Sequence, residues 1–325
     1  MTGVWRALRS RILTPSTSEV GLDKRGFHVK DPAARELLET IGRTFLAGYA
    51  RAARARSPEA VAEALRGIPP RFRGFAHEGA AMGFAVLDGL SPRNGRRFGS
   101  YLDGPGGDHV YMAHVGLGWA MARLPRFRWP GAGLDPVLRW LVLDGYGFHQ
   151  AYFRTGRYVR EQYRPDRFPW PPGGPGRYAA RVVDQGVGRA LWFVGGADAD
   201  VVADLVDRFP PRRRADLFGG AGLAATYAGG AGEGELRRFW ERAGEFRPQV
   251  AQGCAFAAEA RRRAGLDVPH TAAATRVFCG MPPDEAARIA VEARPGAEGR
   301  PAGGVPAFEV WRRRIAEEFV SLGRC

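Results

Sequence analysis

The sequence predicts a mainly α protein: a tandem duplication of a helical unit of roughly 110–140 residues, forming one compact two-lobed helical-repeat domain. Three observations predict it. Two stretches resemble each other at an offset of 141 residues, apolar residues recur at steps of three and four, and three helix starts place a capping side chain directly before proline. One such unit buries its apolar face poorly alone, so a packed pair is expected.

The stretch from Ser57 reads SPEAVAEALRGIPPRFRGFAHEGAAMGFAVLDG, and the stretch from Asp198 reads DADVVADLVDRFPPRRRADLFGGAGLAATYAGG. Pro69, Pro70, Arg71 and Arg73 match Pro210, Pro211, Arg212 and Arg214, and Gly79-Ala80 matches Gly220-Ala221 without a gap. With small insertions the likeness extends outward. Gly42-Arg43 answers to Gly188-Arg189, and Gly116, Trp119 and Ala120 answer to Gly253, Phe256 and Ala257. Phe27-His28 and Phe148-His149 open the copies, and TRVFCGMPPDEAARIAVEA from Thr275 begins a partial third. The chain thus divides into an N-terminal amphipathic segment (1–24), a first repeat (25–143), a second repeat (144–268) and a partial third repeat with a C-terminal helix (269–325). Pro and Gly break regular structure in loops at 164–176 and about 293–306.

In chain order, VWRALRSRIL puts Val4, Trp5, Leu8 and Ile12 on one face and Arg6, Arg9 and Arg11 largely on another. Residues 4–13 can therefore lie on an anionic membrane surface or dock on the protein's own core. Asp31-Pro32, Ser57-Pro58 and Asp135-Pro136 start helices, because a capping oxygen satisfies free N–H groups and proline at the first position lacks one to satisfy. Leu37, Leu38, Ile41, Phe45 and Leu46 mark one buried helical face, and Leu236, Phe239, Trp240, Ala243 and Phe246 mark another. The runs GAAMGFA and GLGWAMA let helix backbones approach closely. Short strands at 191–194 or 277–279 stay open as alternatives.

The formal net charge of +14 is almost wholly arginine, Lys24 and Lys30 being the only lysines. Together with the abundance of Ala, Gly and Pro, this suggests a GC-rich genome. Dispersed arginines without a reader motif argue against nucleic acid. No apolar run can cross a bilayer and no cleavable leader is seen, so the expectation is a cytoplasmic protein without a transmembrane segment. Cys254, Cys279 and Cys325 are too few and too scattered for a cysteine zinc site, and the first two are expected in the core.

Walker A, H-E-x-x-H, G-x-S-x-G and D-D-x-x-D patterns are absent. Gly220-Ala221-Gly222 imitates a dinucleotide fingerprint, but it follows PPRRRADLF rather than a strand. The copies themselves point to a site. His77 and Glu78 align with Phe218 and Gly219, His114 with Ala251 and His109 with Phe246, so the polar set belongs to the N-terminal half. If His77, Glu78, Asp108, His109 and His114 converge, imidazole and carboxylate can exchange protons near neutral pH. The bland alternative is that each is a buried polar group satisfied by backbone. Met82, Phe84, Trp119, Phe148, His149 and Arg71 are the expected ligand-contacting residues. Arg71 and Arg73 follow Pro-Pro where the helix dipole disfavours a cation, so a carboxylate across the repeat interface or a phosphate is the expected partner. No metal ligands are assigned, and the residues name no cofactor.

IPPRFRGFAHEGAAMGFAVLDGL from Ile68, HVGLGWAMARL from His114 and DGYGFHQAYFR from Asp144 together resemble the UnbL-type proteins of actinobacterial enediyne cassettes, which accompany an iterative polyketide synthase. The resemblance covers the chain from Arg25 to about residue 320 and transfers no catalytic residue. It implies a role in antibiotic biosynthesis, the maturation of a synthase-made linear polyene into the enediyne core. The partner is then an apolar polyene or polyyne intermediate held in a helical cavity, with proton transfer during rearrangement or cyclisation. The alternative is a non-catalytic accessory protein that sequesters the intermediate or docks on the acidic acyl carrier domain or on other cassette proteins.

Overall fold

A computed structural model describes residues 3–91, 95–129, 133–172, 174–296 and 304–325, with the side chains of residues 3–6 outside that description. The described residues are all-helical, without strands: residues 191–194 and 277–278 are helical, and Cys279 caps the helix end. In chain order the helices are α1 (Gly3–Leu13), α2 (Leu22–Arg25), α3 (Pro32–Arg54), α4 (Pro58–Leu65), α5 (Pro70–Gly89), α6 (Arg97–Asp103), α7 (Val110–Arg123) and α8 (Leu141–Phe153). They continue as α9 (Gly176–Val194), α10 (Ala199–Asp207), α11 (Pro211–Ala228), α12 (Glu233–Ala243), α13 (Arg247–Arg263), α14 (Pro269–Phe278), α15 (Pro283–Glu292) and α16 (Ala307–Ser321). Two of the sequence-marked starts open α-helices, α3 and α4, and the third, at Asp135, opens a turn and a 3₁₀ segment (Leu138–Trp140) that leads into α8. Asp31 accepts from the Ala34 N–H at 2.8 Å, Ser57 from Ala60 at 3.4 Å, and Asp135 from Val137 and Leu138, both at 2.8 Å.

The long helices form a row in which α3, α5, α7, α8, α9, α11 and α13 each pack on the next. A small-residue device repeats along it. Gly116 and Gly118 on α7, Gly145 and Gly147 on α8, Gly186 and Gly188 on α9, and Gly220 and Gly222 on α11 are pairs two residues apart. At 3.6 residues per turn, two positions apart means opposite sides of the helix, so the first glycine meets the preceding helix and the second meets the following one. The contacts are reciprocal. A Cβ at Gly118 would stand 2.0 Å from the Val142 carbonyl oxygen, three residues before Gly145, and one at Gly145 would stand 2.0 Å from Val115 O, three before Gly118. Gly147 and Gly186 repeat the arrangement at 2.2 and 1.9 Å, Gly188 and Gly220 at 2.2 and 2.0 Å, and Gly48 and Gly79 at 1.9 Å each. Backbones this close gain Cα–H···O contacts as well as dispersion. The fingerprint-like glycines at 220 and 222 are packing glycines of this kind.

The matched stretches occupy matched elements. Helices α5 and α11 both begin in Pro-Pro after a short helix, and Arg73 Nε donates to Ile68 O at 3.0 Å as Arg214 Nε donates to Phe209 O at 2.8 Å. The hydrogen-bond partner of Arg73 and Arg214 is thus a backbone carbonyl of the preceding turn rather than a phosphate or a carboxylate across the repeat interface, and Arg214 also stands 3.8 Å from Asp207 of the neighbouring short helix. The glycine contacts also shift one correspondence: Gly48, not Gly42, takes the place of Gly188. Buried arginines close the row. Arg261 donates to Pro70 O at 3.2 Å, to Arg71 O at 3.1 Å and to Tyr227 O, linking α13 to the ends of α5 and α11. Arg213 grips Asp184 at 2.6 and 3.0 Å, and Arg312 joins Asp216 and Glu309 at 3.0 and 3.1 Å.

The N-terminal helix docks on α3 through polar groups, Arg9 donating to Ala53 O at 2.6 and 2.9 Å and Ser10 to Ala50 O at 3.3 Å. Leu8 and Ile12 stay 45% and 72% exposed, so these two residues of the apolar face are not buried by the docking. The side chains of Val4, Trp5 and Arg6 lie outside the described residues. Cys254 and Cys279 are buried as expected. No helix among the described residues is long and apolar enough to cross a membrane.

Candidate functional site

A cavity of about 490 Å³ opens between α3, α5, α7, α8 and α9. That volume falls within the roughly 300–1,000 Å³ range of small-molecule sites. Helix α3 contributes Ile41, Phe45 and Tyr49, α5 contributes Phe75, Glu78 and Met82, and α7 contributes Trp119, Ala122 and Arg123. Phe148, His149, Tyr152 and Phe153 come from α8, and Arg189 and Phe193 from α9. The aromatic rings brace one another. Trp119 lies 4.5 Å from Phe45, 5.1 Å from Phe148 and, edge-on, 5.4 Å from His149. Phe148 stacks on Tyr152 at 5.9 Å and meets Phe193 edge-on at 5.3 Å.

Against this apolar wall stands a buried carboxyl, Glu78, the other glutamate of the lining, Glu19, being paired with Lys24 and Arg25. Glu78 is fully buried and in no ion pair among the described residues, and desolvation raises its pKa to about 7. The Arg189 charge pulls the value down and the Asp144 charge pushes it up. Arg189 is committed to Asp144, to which its Nη1 donates, while its Nε has no partner. Two carboxyls therefore share one guanidinium, and Asp144 holds it. That leaves Glu78 half-protonated near neutrality, able to give or take a proton. The indole N–H of Trp119 is buried without a hydrogen bond of good geometry, and its hydrogen-bonding pull on the Glu78 carboxyl is the weaker of the two influences that lower that pKa. His149 Nδ1 is likewise buried and unpartnered, and burial, with Arg123 and Arg154 nearby, drives the His149 pKa down to about 3.

Residues 4–319 match the family model described as a protein of unknown function, DUF1702. The chain belongs to the DUF1702 family. No curated protein and no solved structure matches it. The family match includes every wall of the cavity.

In this DUF1702 chain the sequence-selected residues scatter over several places. Glu78, Met82, Trp119, Phe148 and His149 line the cavity. His77 and His109 do not: their rings stack at 3.5 Å on the far side of α5, and His77 Nδ1 lies 2.6 Å from the Tyr101 hydroxyl. Burial lowers both, His77 to about 3 and His109 to about 4, so both are neutral at physiological pH. His114 is elsewhere again, its Nδ1 2.7 Å from Val110 O within its own helix. Asp108 sits on the short 3₁₀ turn before α7, beside His109. Phe84 packs on Tyr101 at 5.1 Å, away from the cavity, and Arg71 lies over Phe72 near Arg261. Convergence of the five polar residues is thus corrected to one, Glu78. Helical geometry explains why: neighbours such as His77 and Glu78 point about 100° apart and cannot face one cavity.

Sequence reasoning missed Asp144, Arg189, Tyr49, Arg123 and Arg154. A signal for the first two was present. Glu78-Gly79, Asp144-Gly145 and Gly188-Arg189 each set a charge beside a glycine that touches a neighbouring backbone. A charge beside a close-packing glycine is carried into the interior. Arg43, matched to Arg189 by sequence, instead lies on the surface with Glu36 and Glu39.

Proposed function

We propose that this protein binds an apolar conjugated chain in the α3–α9 cavity and moves a proton on it with Glu78. The linear polyene of enediyne maturation, implied by the family resemblance, is the substrate class that such walls suit. The observation that carries the reading is a carboxyl with a pKa of about 7, unpaired, facing an aromatic cavity. A general acid or base works best when its pKa lies near the working pH. The step is redox-neutral. Glu78 gives its proton to one carbon of the conjugated chain, and the carboxylate then takes a proton from another carbon, so double bonds shift or a ring closes without change of composition. Positive charge passing along the chain would meet the faces of Trp119 and Phe148, which attract cations. All three sequence strings that carry the resemblance contribute to this one cavity, which supports reading it as the place where the family's chemistry occurs.

The test replaces the gene by one encoding Glu78→Gln, with folding checked by circular dichroism and intermediates followed by mass spectrometry. One specific polyene precursor should accumulate. A uniform fall in all polyene products would favour the accessory role, in which the protein sequesters the intermediate or docks on the acidic carrier domain. Normal product from a folded variant would remove Glu78 from the chemistry.

A further inference from the structure

The walls of the cavity carry three arginines and two glutamates, and their pairing is uneven. Glu78 is the buried carboxyl at its inner end. Arg189 is neutralised by Asp144, and Glu19 is engaged by Lys24 and Arg25. Arg123 and Arg154 remain, both exposed and both lining the cavity, with no carboxylate within ion-pair distance among the described residues. They sit on different helices, Arg123 as the last residue of α7 and Arg154 just past the end of α8. Both act electrostatically on His149, and Arg123 also acts on Tyr49, so their charges converge on one stretch of wall. The buried Nδ1 of His149 has no partner there. Two unpaired guanidiniums at the solvent end of an apolar cavity form a receptor for an anion whose remainder is apolar.

We infer that Arg123 and Arg154 hold a carboxylate at the cavity mouth, so that the ligand is an unsaturated chain with an acid head and its tail runs inward toward Glu78. This rests on the reading of the cavity as a ligand site and adds the orientation of the ligand. Guanidinium and carboxylate match in geometry, and fork-like donors from two helices fix the head while the aromatic walls, which have no direction of their own, accept the chain. An arginine at a helix C-terminus also offsets the helix dipole, which is the competing explanation for either residue alone. That role would not distinguish a charged ligand from its neutral ester.

The experiment uses the full-length protein and parinaric acid, a conjugated polyene acid whose fluorescence rises in an apolar cavity, together with its methyl ester. The acid should bind about tenfold more tightly than the ester, the scale of a charge-assisted contact reduced by solvent exposure. In Arg123→Gln/Arg154→Gln the acid should fall to the affinity of the ester, with ester binding unchanged. Equal binding of acid and ester to the wild type, or an acid preference that survives in the double variant, overturns the inference while leaving the cavity reading in place. Failure of both probes to bind the wild type overturns both.

Discussion

Glu78 shows how a side chain gains reactivity at the expense of stability. Its pKa is about 7 when folded, against 4.5 for the free side chain, so the folded protein holds its proton more tightly than the unfolded chain. The sign follows from proton linkage: below about pH 4.5 both states are protonated and nothing is lost, while from there to pH 7 the unfolded state ionises freely and the folded state does not. At pH 8 the buried carboxyl therefore destabilises by an order of about 3 kcal/mol. Glu78→Gln should raise the melting temperature at pH 8 more than at pH 5, read by differential scanning fluorimetry. An equal shift at both values would mean that the carboxyl titrates normally. The sequence marked Glu78 because its copy, Gly219, has lost the charge, which is a statement about a position. It could not show that His77, one residue away, points to Tyr101, because only the register of α5 against its neighbours decides which side faces the cavity.

At the scale of the helix, the determining choice is glycine where two backbones touch. A methyl group at Gly118 would lie 2.0 Å from Val142 O and 2.7 Å from Tyr146 N, both backbone atoms, so α7 and α8 would have to separate. Gly118→Ala should destabilise by about 3 kcal/mol or more, at the upper end for overpacking, even though alanine is the better helix former. Gly234→Ala in α12 is the control. Its added Cβ meets nothing within 4 Å, so the change should be neutral or stabilising by up to about 1 kcal/mol. Urea denaturation of the two variants measures the difference, and comparable midpoints would dismiss the close-contact account. Much of this was legible. Capped prolines announced α3 and α4, and GLGWAMA announced a close approach. What the chain did not reveal is that Gly-x-Gly recurs helix by helix. The intervals between recurrences vary with the loops and short helices inserted, and the flanking residues are set by whichever neighbour each helix meets. The 141-residue offset was visible because whole segments match, whereas the single-helix rhythm lies in two residues at a time.

Across the whole molecule, burial has also stripped charge from most of the histidines. His77, His109, His149 and His270 are held neutral, with pKa values driven by desolvation to about 3, 4, 3 and 4, and His114 is lowered as well. In the unfolded chain each returns to about 6.5. The unfolded state therefore takes up protons below pH 6.5 that the folded state refuses until about pH 4. Stability is complete above 6.5 and is lost on acidification by as much as about 1.4 kcal/mol per pH unit for each group. The raised carboxyls Glu78, Asp144, Asp184 and Glu259 act in the opposite sense, so a single melting curve mixes the two effects. A variant separates them. His77 and His109 stack against each other, away from the cavity, and His77→Gln/His109→Gln removes two of the acid-sensitive groups while leaving every carboxyl in place. Between pH 6.5 and 4.5 the double variant should lose stability less steeply than the wild type, by as much as about 2.7 kcal/mol per pH unit where the two slopes differ most, whatever its stability at pH 8. Urea midpoints at half-unit intervals give the two slopes. Parallel curves would show that these imidazoles take up protons as readily in the folded protein as in the unfolded chain, which the burial of a stacked pair does not permit, and the packing of α5 against the turn before α7 would then need revision.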